Sequence, residues 1–160
     1  MYSKFLDKTV WLFERCMAIL FGASIAVVSL QIFFRYVIGS PLNWTEQVAR
    51  CIFIWLFTLS IPLLMRKKGA VAFDLLIGFL SFKAREIMVI LVQLLILFFA
   101  VYYFVFSVDL CRATTGRVMA GVRIPQNSVY IVTPVSMFVL ILVTFEHIAG
   151  GIKALKGGKR

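Results

Sequence analysis

The stretch Gln31-Ile32-Phe33-Phe34-Arg35-Tyr36-Val37-Ile38-Gly39-Ser40-Pro41-Leu42-Asn43-Trp44-Thr45-Glu46-Gln47-Val48-Ala49-Arg50 decides the fold. An apolar run that starts near residue 11 ends here, and a second leaves here and continues to residue 65. The turn residues Gly39, Ser40 and Pro41 separate them, so two membrane-length segments meet at a tight corner. Charge at such a place is costly. A Lys, Arg or Asp at the centre of a membrane helix is disfavoured by about 2.5–3.5 kcal/mol on insertion scales, so ionisable groups there face protein and mark a function or a subunit contact. Arg35, Glu46 and Arg50 at this corner are therefore the first candidates.

Working outward, composition points the same way. Of 160 residues 62% are hydrophobic, 16 are Phe and only 7 are acidic, with a mean hydropathy of +0.98. Four apolar runs cover about 11–37, 44–65, 87–110 and 125–148. Each reaches the roughly 20 residues that a helix needs to cross a hydrocarbon core of about 30 Å. They are continuous rather than alternating, so helices, not barrel strands, satisfy their backbone groups. The expected fold is an all-α integral membrane protein, a single membrane domain over 1–160 with four transmembrane helices. Lys4 and Lys8 precede the first run and Ser24-Ile25-Ala26 imitates a cleavage site, but the run continues to Phe34, which suits a retained signal anchor.

Orientation follows from the basic residues of the short loops. Eleven fall on one side: Lys4, Lys8, Arg66, Lys67, Lys68, Lys83, Arg85, Lys153, Lys156, Lys159 and Arg160. Arg35, Arg112, Arg117 and Arg123 fall on the other, so both termini are expected to be cytoplasmic. The net charge of +10 borders membrane segments, which favours anionic lipid headgroups as partners and excludes a nucleic-acid surface.

The loops carry the finer signals. Asn43 with Glu46 three residues on reads as a capping box for the second helix, and Glu46 also suits the positive end of its dipole. Alternatively, Glu46 and Arg50 share a face at i, i+4, and with Arg35 across the turn they form a charge cluster that locks the first two helices together. Trp44 fits an interfacial aromatic belt. The segment 69–80 is apolar but for Asp74 and too short to span, so a short interfacial helix is expected between helices two and three. Arg112, Arg117 and Arg123 surround Gly116 and Gly121 in a flexible loop, solvated or turned towards an acidic partner. Pro62 and Pro134 interrupt helices two and four and release the carbonyls of Thr58 and Tyr130. Glu14 and Arg15 are placed at the interface, and His147 near the end of helix four in a snorkelling or capping role.

Catalytic and metal-binding patterns are missing. Cys16, Cys51 and Cys111 form no C-x-x-C and no zinc set, and there is no nucleophile triad, phosphate loop or pair of membrane acids. No cofactor or metal is expected, and the chain reads as a membrane subunit whose partner performs the transport, not as an enzyme.

The segments Gln31 to Tyr36 and Ser40 to Arg50, with Arg66-Lys67, Asp74-Leu75 and Ile124-Pro125-Gln126, resemble the small transmembrane subunit of tripartite ATP-independent periplasmic (TRAP) transporters. The resemblance covers nearly the whole chain, and Arg35 to Arg50 is its most specific part. Gln47 stands where members often carry a second acid, and Gly69-Ala70 where they often carry His-Ile. The resemblance implies a bacterial inner-membrane complex in which a periplasmic substrate-binding protein delivers an organic anion of the carboxylate or sialic acid class. A large membrane subunit then moves it inward with Na⁺, and this chain braces that subunit. Arg35, Trp44, Glu46 and Arg50 would supply subunit contact, Arg66 and Asp74 the cytoplasmic interface, and Arg112, Arg117 and Arg123 periplasmic docking. A small multidrug exporter, with Glu14 as its membrane acid, and a four-helix disulfide oxidoreductase are the alternatives. Neither explains Ser40 to Arg50.

Overall fold

The computed structural model describes residues 2–40, 42–67, 82–119 and 124–157. Four helices in it are long and apolar enough to cross a membrane. Helix α1 spans Tyr2–Phe33 and passes into a π-helical turn, Phe34–Ile38, that closes on Gly39. Gly39 takes φ 71° and gives its N–H to the Phe34 carbonyl, a left-handed cap that suits a residue without Cβ. Helix α2 spans Asn43–Arg66 and α3 spans Phe82–Ala113. The fourth span is divided into α4, Gln126–Tyr130, and α5, Val132–Gly157.

The two prolines behave differently. The fourth span breaks at Ile131, three residues before Pro134, which leaves Pro134 in the first turn of α5 where its missing N–H costs nothing. Helix α2 instead runs through Pro62 without a break. The carbonyl that Pro62 leaves open, on Thr58, accepts the Ser136 hydroxyl of α5 at 2.5 Å, and Ser136 is fully buried. Ser24, Ser107 and Thr144, also buried, each donate to a carbonyl of their own helix three or four residues back. Among these hydroxyls Ser136 is the one that ties two helices together.

Packing follows the order α1, α2, α5, α3. Helix α1 packs on α2, α2 on α5 and α5 on α3, whereas α3 makes no appreciable contact with α1 or α2. One apolar core joins Leu6 and Phe13 of α1, Leu59 of α2 and Val139 and Val143 of α5. A second, smaller core sets Ala100 of α3 against Met137 and Leu140 of α5. Helix α5 is thus the pivot of the arrangement. At 32 residues α3 is about 48 Å long, more than the hydrocarbon thickness, and it exposes Phe98, Phe99, Tyr102, Tyr103 and Phe106. Such an apolar surface is stable only against lipid or another protein.

Several expectations shift. Helix α3 continues to Ala113, so Cys111 and Arg112 are helical, and the loop starts at Thr114. The described flanks of that loop are tied to each other: Met119 N–H bonds Ile124 O at 3.1 Å and Gln126 N–H bonds Arg117 O at 2.9 Å, around a bridge between Val118 and Pro125. His147 lies well inside α5, which runs to Gly157, so it is not near the helix end. The proposed interfacial helix of 69–80 and Asp74 lie outside the described residues.

Candidate functional site

The chain's ionisable groups gather at its two ends, and the two ends are built differently. At the end where α1 begins and α2 finishes, Arg66 lies with its side chain only 18% exposed between two acids from two other helices. Its Nη2 donates to Asp7 Oδ1 of α1 at 2.6 Å and its Nε to the same oxygen at 3.2 Å. Its Nη1 donates to Glu146 Oε2 of α5. One planar guanidinium therefore fastens three helices, a task for which its fixed fork of donors is suited and a lysine's point charge is not. Next to it Lys67 pairs with Glu14 of α1. Glu14 is thus engaged in an ion pair, while Arg15 stacks over the Trp11 ring at 5.3 Å.

At the opposite end the expected lock between α1 and α2 is not formed. Glu46 and Arg50 do pair, at 3.3 Å, but both belong to α2 and their side chains are 65% and 59% exposed. Arg35, in the π-helical turn, lies over the ring of its neighbour Tyr36 at 5.7 Å and has no acidic partner among the described residues. The capping box is also absent. The N-cap position falls on Leu42, no side chain caps it, and Thr45 Oγ1 returns a bond to the Leu42 carbonyl at 2.7 Å. Trp44 stands exposed in the first turn of α2. Arg112 approaches Asp109 only at 3.9 Å on the surface of α3, Arg117 supplies its carbonyl to the hairpin, and Arg123 lies outside the described residues. Here the sole side-chain tie from α2 to the hairpin runs from Cys51 Sγ to Met119 Sδ, at 3.7 Å, among the described residues.

Sequence reasoning named Arg66, set Glu14 at the interface without its partner Lys67, and passed over Asp7 and Glu146; the pairing of these three acids was not foreseen. Their separations from their partners, 59, 53 and 80 residues, leave no local pattern. The available signal was depth: all three acids stand near the lysine-rich ends of their spans, level with Arg66-Lys67. No group of three or more His, Cys, Asp or Glu residues capable of holding a metal occurs among the described residues, and the three cysteines are free thiols.

A family model described as "Tripartite ATP-independent periplasmic transporters, DctQ component" matches residues 24–154, which takes in α2, the hairpin and most of α5. The chain belongs to the DctQ family. As a DctQ-like TRAP small subunit it is a transporter component, not an enzyme, and a multi-pass protein of the bacterial inner membrane. It is similar to the isethionate TRAP transporter permease protein DctMQ of Oleidesulfovibrio alaskensis, 27% identical over 140 residues that make up 82% of this chain and 22% of that protein. It is also similar to the sialic acid TRAP transporter permease protein SiaT of Haemophilus influenzae, 29% identical over 158 residues, 98% of this chain and 24% of that one. The DctQ chain thus spans under a quarter of the length of these curated relatives.

Proposed function

We propose that this DctQ chain is the brace of a TRAP-type secondary transporter. It holds the large transport subunit in place and helps a periplasmic substrate-binding protein to dock, for Na⁺-coupled uptake of an organic anion. The observation that carries the reading is the open arrangement itself. Four spans packed in the order α1, α2, α5, α3 leave α3 resting on the fourth span, α4 and α5, and expose its aromatic surface, a form suited to lying along a larger neighbour. The interior between α1, α2 and α5 is filled by Leu59, Val139 and Val143 among the described residues. Substrate and ion sites then belong to the counterpart of the relatives' remaining length, and the relatives' names, isethionate and sialic acid, support an organic anion as cargo.

In this reading the lysine-rich end with Arg66 faces the cytoplasm, together with Asp74 and both termini. Arg35, Trp44, Glu46 and Arg50 face the periplasmic side as the assembly contact, with Arg112, Arg117 and Arg123 beside them for docking. Membrane lipids cover what the partners leave. Two experiments test this. Reconstituted alone in liposomes with a Na⁺ gradient, the chain should take up no organic acid and expel no cationic drug; single-chain transport overturns the brace. In a variant without native cysteines, Met119→Cys should react with an impermeant maleimide on intact cells and Leu75→Cys should not; the reverse result inverts the topology.

A further inference from the structure

Helices α2 and α3 both rest on the fourth span without appreciable contact with one another, and the space between them is an apolar cleft of about 390 Å³. Its floor is the buried Ala100, Met137 and Leu140, and its walls are the exposed Ile61 of α2 and Leu95, Phe99 and Tyr103 of α3. Ile61 stands one turn beyond Phe57, so the cleft continues along the same face of α2, through a groove of about 570 Å³, past Phe57, Phe53 and Arg50 to Glu46. From Glu46 to Ile61 this trough runs about 22 Å, most of a hydrocarbon core of about 30 Å. The other side of α2 is different. Trp55 and Leu59 each stand two residues from Phe57, about 200° around the helix, and line a separate hollow with Ile19 of α1 and Val135 of α5.

What covers the trough is argued from its length, its charge and its mouth. An acyl chain reaches through one leaflet, about half the core, and leaves the rest bare, whereas a transmembrane helix covers the whole run. A second copy of this chain, inserted with the same orientation, would set two ends bearing Arg35, Arg50, Arg112 and Arg117 side by side with only Glu46 and Asp109 among the described acids to offset them, and such like-charge contact is costly. The trough opens at Glu46 and Arg50, so whatever fills it is continuous with the subunit contact proposed for that pair. The relatives, moreover, carry the DctQ-like stretch in under a quarter of a single chain, which tethers a far larger remainder beside it. We infer that the cleft between α2 and α3 seats one apolar transmembrane helix of the large subunit, laid from the Glu46–Arg50 pair down to Ile61 and Phe99, while the face bearing Trp55 and Leu59 is left to lipid. This rests on the brace reading above and adds to it the face and the kind of element that make the contact.

The test is photocrosslinking of the full chain co-expressed with its large membrane subunit, with p-benzoylphenylalanine placed singly at position 61, 99, 98 or 19. Adducts with the large subunit are expected from positions 61 and 99. None is expected from 98, the next residue of α3, equally exposed but turned about 100° away from Phe99, nor from 19 in the opposite hollow. As a second measurement, Phe99→Ala trims a wall of the cleft without entering the chain's buried core, and should lower recovery of the large subunit with the tagged chain about fivefold, while Phe98→Ala should not. Adducts from 98 or 19 in place of 61 and 99 would move the contact to another face, which overturns the cleft and leaves the brace standing. Adducts from 61 or 99 with a second copy of this chain, or with lipid alone, while the large subunit still co-purifies, would do the same. Failure of the folded chain to co-purify with the large subunit at all would remove the brace reading, and the cleft with it.

Discussion

The two ends of this DctQ chain hold ion pairs of similar composition that do opposite things. At the Arg66 end the charges come from α1, α2 and α5, so each bond closes a long stretch of chain and fastens helices to one another. At the Glu46 end the pair closes one turn of a single helix and leaves its side chains mostly in contact with the surroundings. Sequence adjacency is thus a poor guide to mechanical role. The pair that is easiest to see, at i, i+4, contributes least to the chain's own fold, and the residues it leaves exposed are the ones free to meet a lipid or a partner.

The contrast is broken most directly at Arg66. Arg66→Leu strands Glu146, whose side chain is 29% exposed, and leaves Asp7 unpaired. A loss of about 1.5–3 kcal/mol is expected, from the usual worth of hydrogen bonds to charged groups. It would be read as a lowered Tm of the detergent-solubilised chain, and an unchanged Tm would refute the role given to this end.

A smaller loss is expected between the ends. Ser136→Ala leaves the Thr58 carbonyl, already deprived of a partner by Pro62, with no donor from α5. Interhelical hydrogen bonds of membrane proteins are worth about 0.6–1.7 kcal/mol, and the Tm should fall accordingly. The double variant Pro62→Ala with Ser136→Ala should recover much of the loss, since an alanine at 62 restores the intrahelical bond; no recovery would separate the hydroxyl from the proline.

At the Glu46 end, Glu46→Ala and Arg50→Ala should change the isolated chain's stability by under about 0.5 kcal/mol, as exposed i, i+4 pairs do. Co-purification with a large subunit should nevertheless fall in both, and the exchanged pair Glu46→Arg with Arg50→Glu should recover part of it. A drop in intrinsic stability as large as that of Arg66→Leu would erase the distinction between the ends. The smallest effect is expected at Gln93 in α3, 8% exposed, with its side-chain oxygen unpartnered. Gln93→Leu removes an unsatisfied buried group and should leave the Tm unchanged or slightly raised.

The four spans were legible because hydropathy acts over a whole helix: any run long enough to cross the membrane announces itself whatever it packs against. Even the turn at Gly39 could be read, since Gly39, Ser40 and Pro41 interrupt two such runs. Which spans touch was not legible, because lipid-facing and helix-facing positions are equally apolar and the periodicity that marks a soluble helix is lost. The same absence hid the Arg66 assembly. Asp7, Glu14 and Glu146 each look like an ordinary flanking charge until the helices are placed side by side. Glu46 and Arg50 invited the opposite error, since their spacing suggested a lock that the exposed geometry does not make.

The bond from Ser136 to the Thr58 carbonyl also has a meaning in time. Helix α2 leaves the ribosome well before α5 does, so while the second span enters the membrane its Thr58 carbonyl has neither an N–H from residue 62 nor a hydroxyl from residue 136. Arg66 by then has Asp7 of α1 and waits only for Glu146. The middle of the chain is therefore finished only by its last span, and a nascent chain halted before α5 would carry the unmet Thr58 carbonyl into the bilayer.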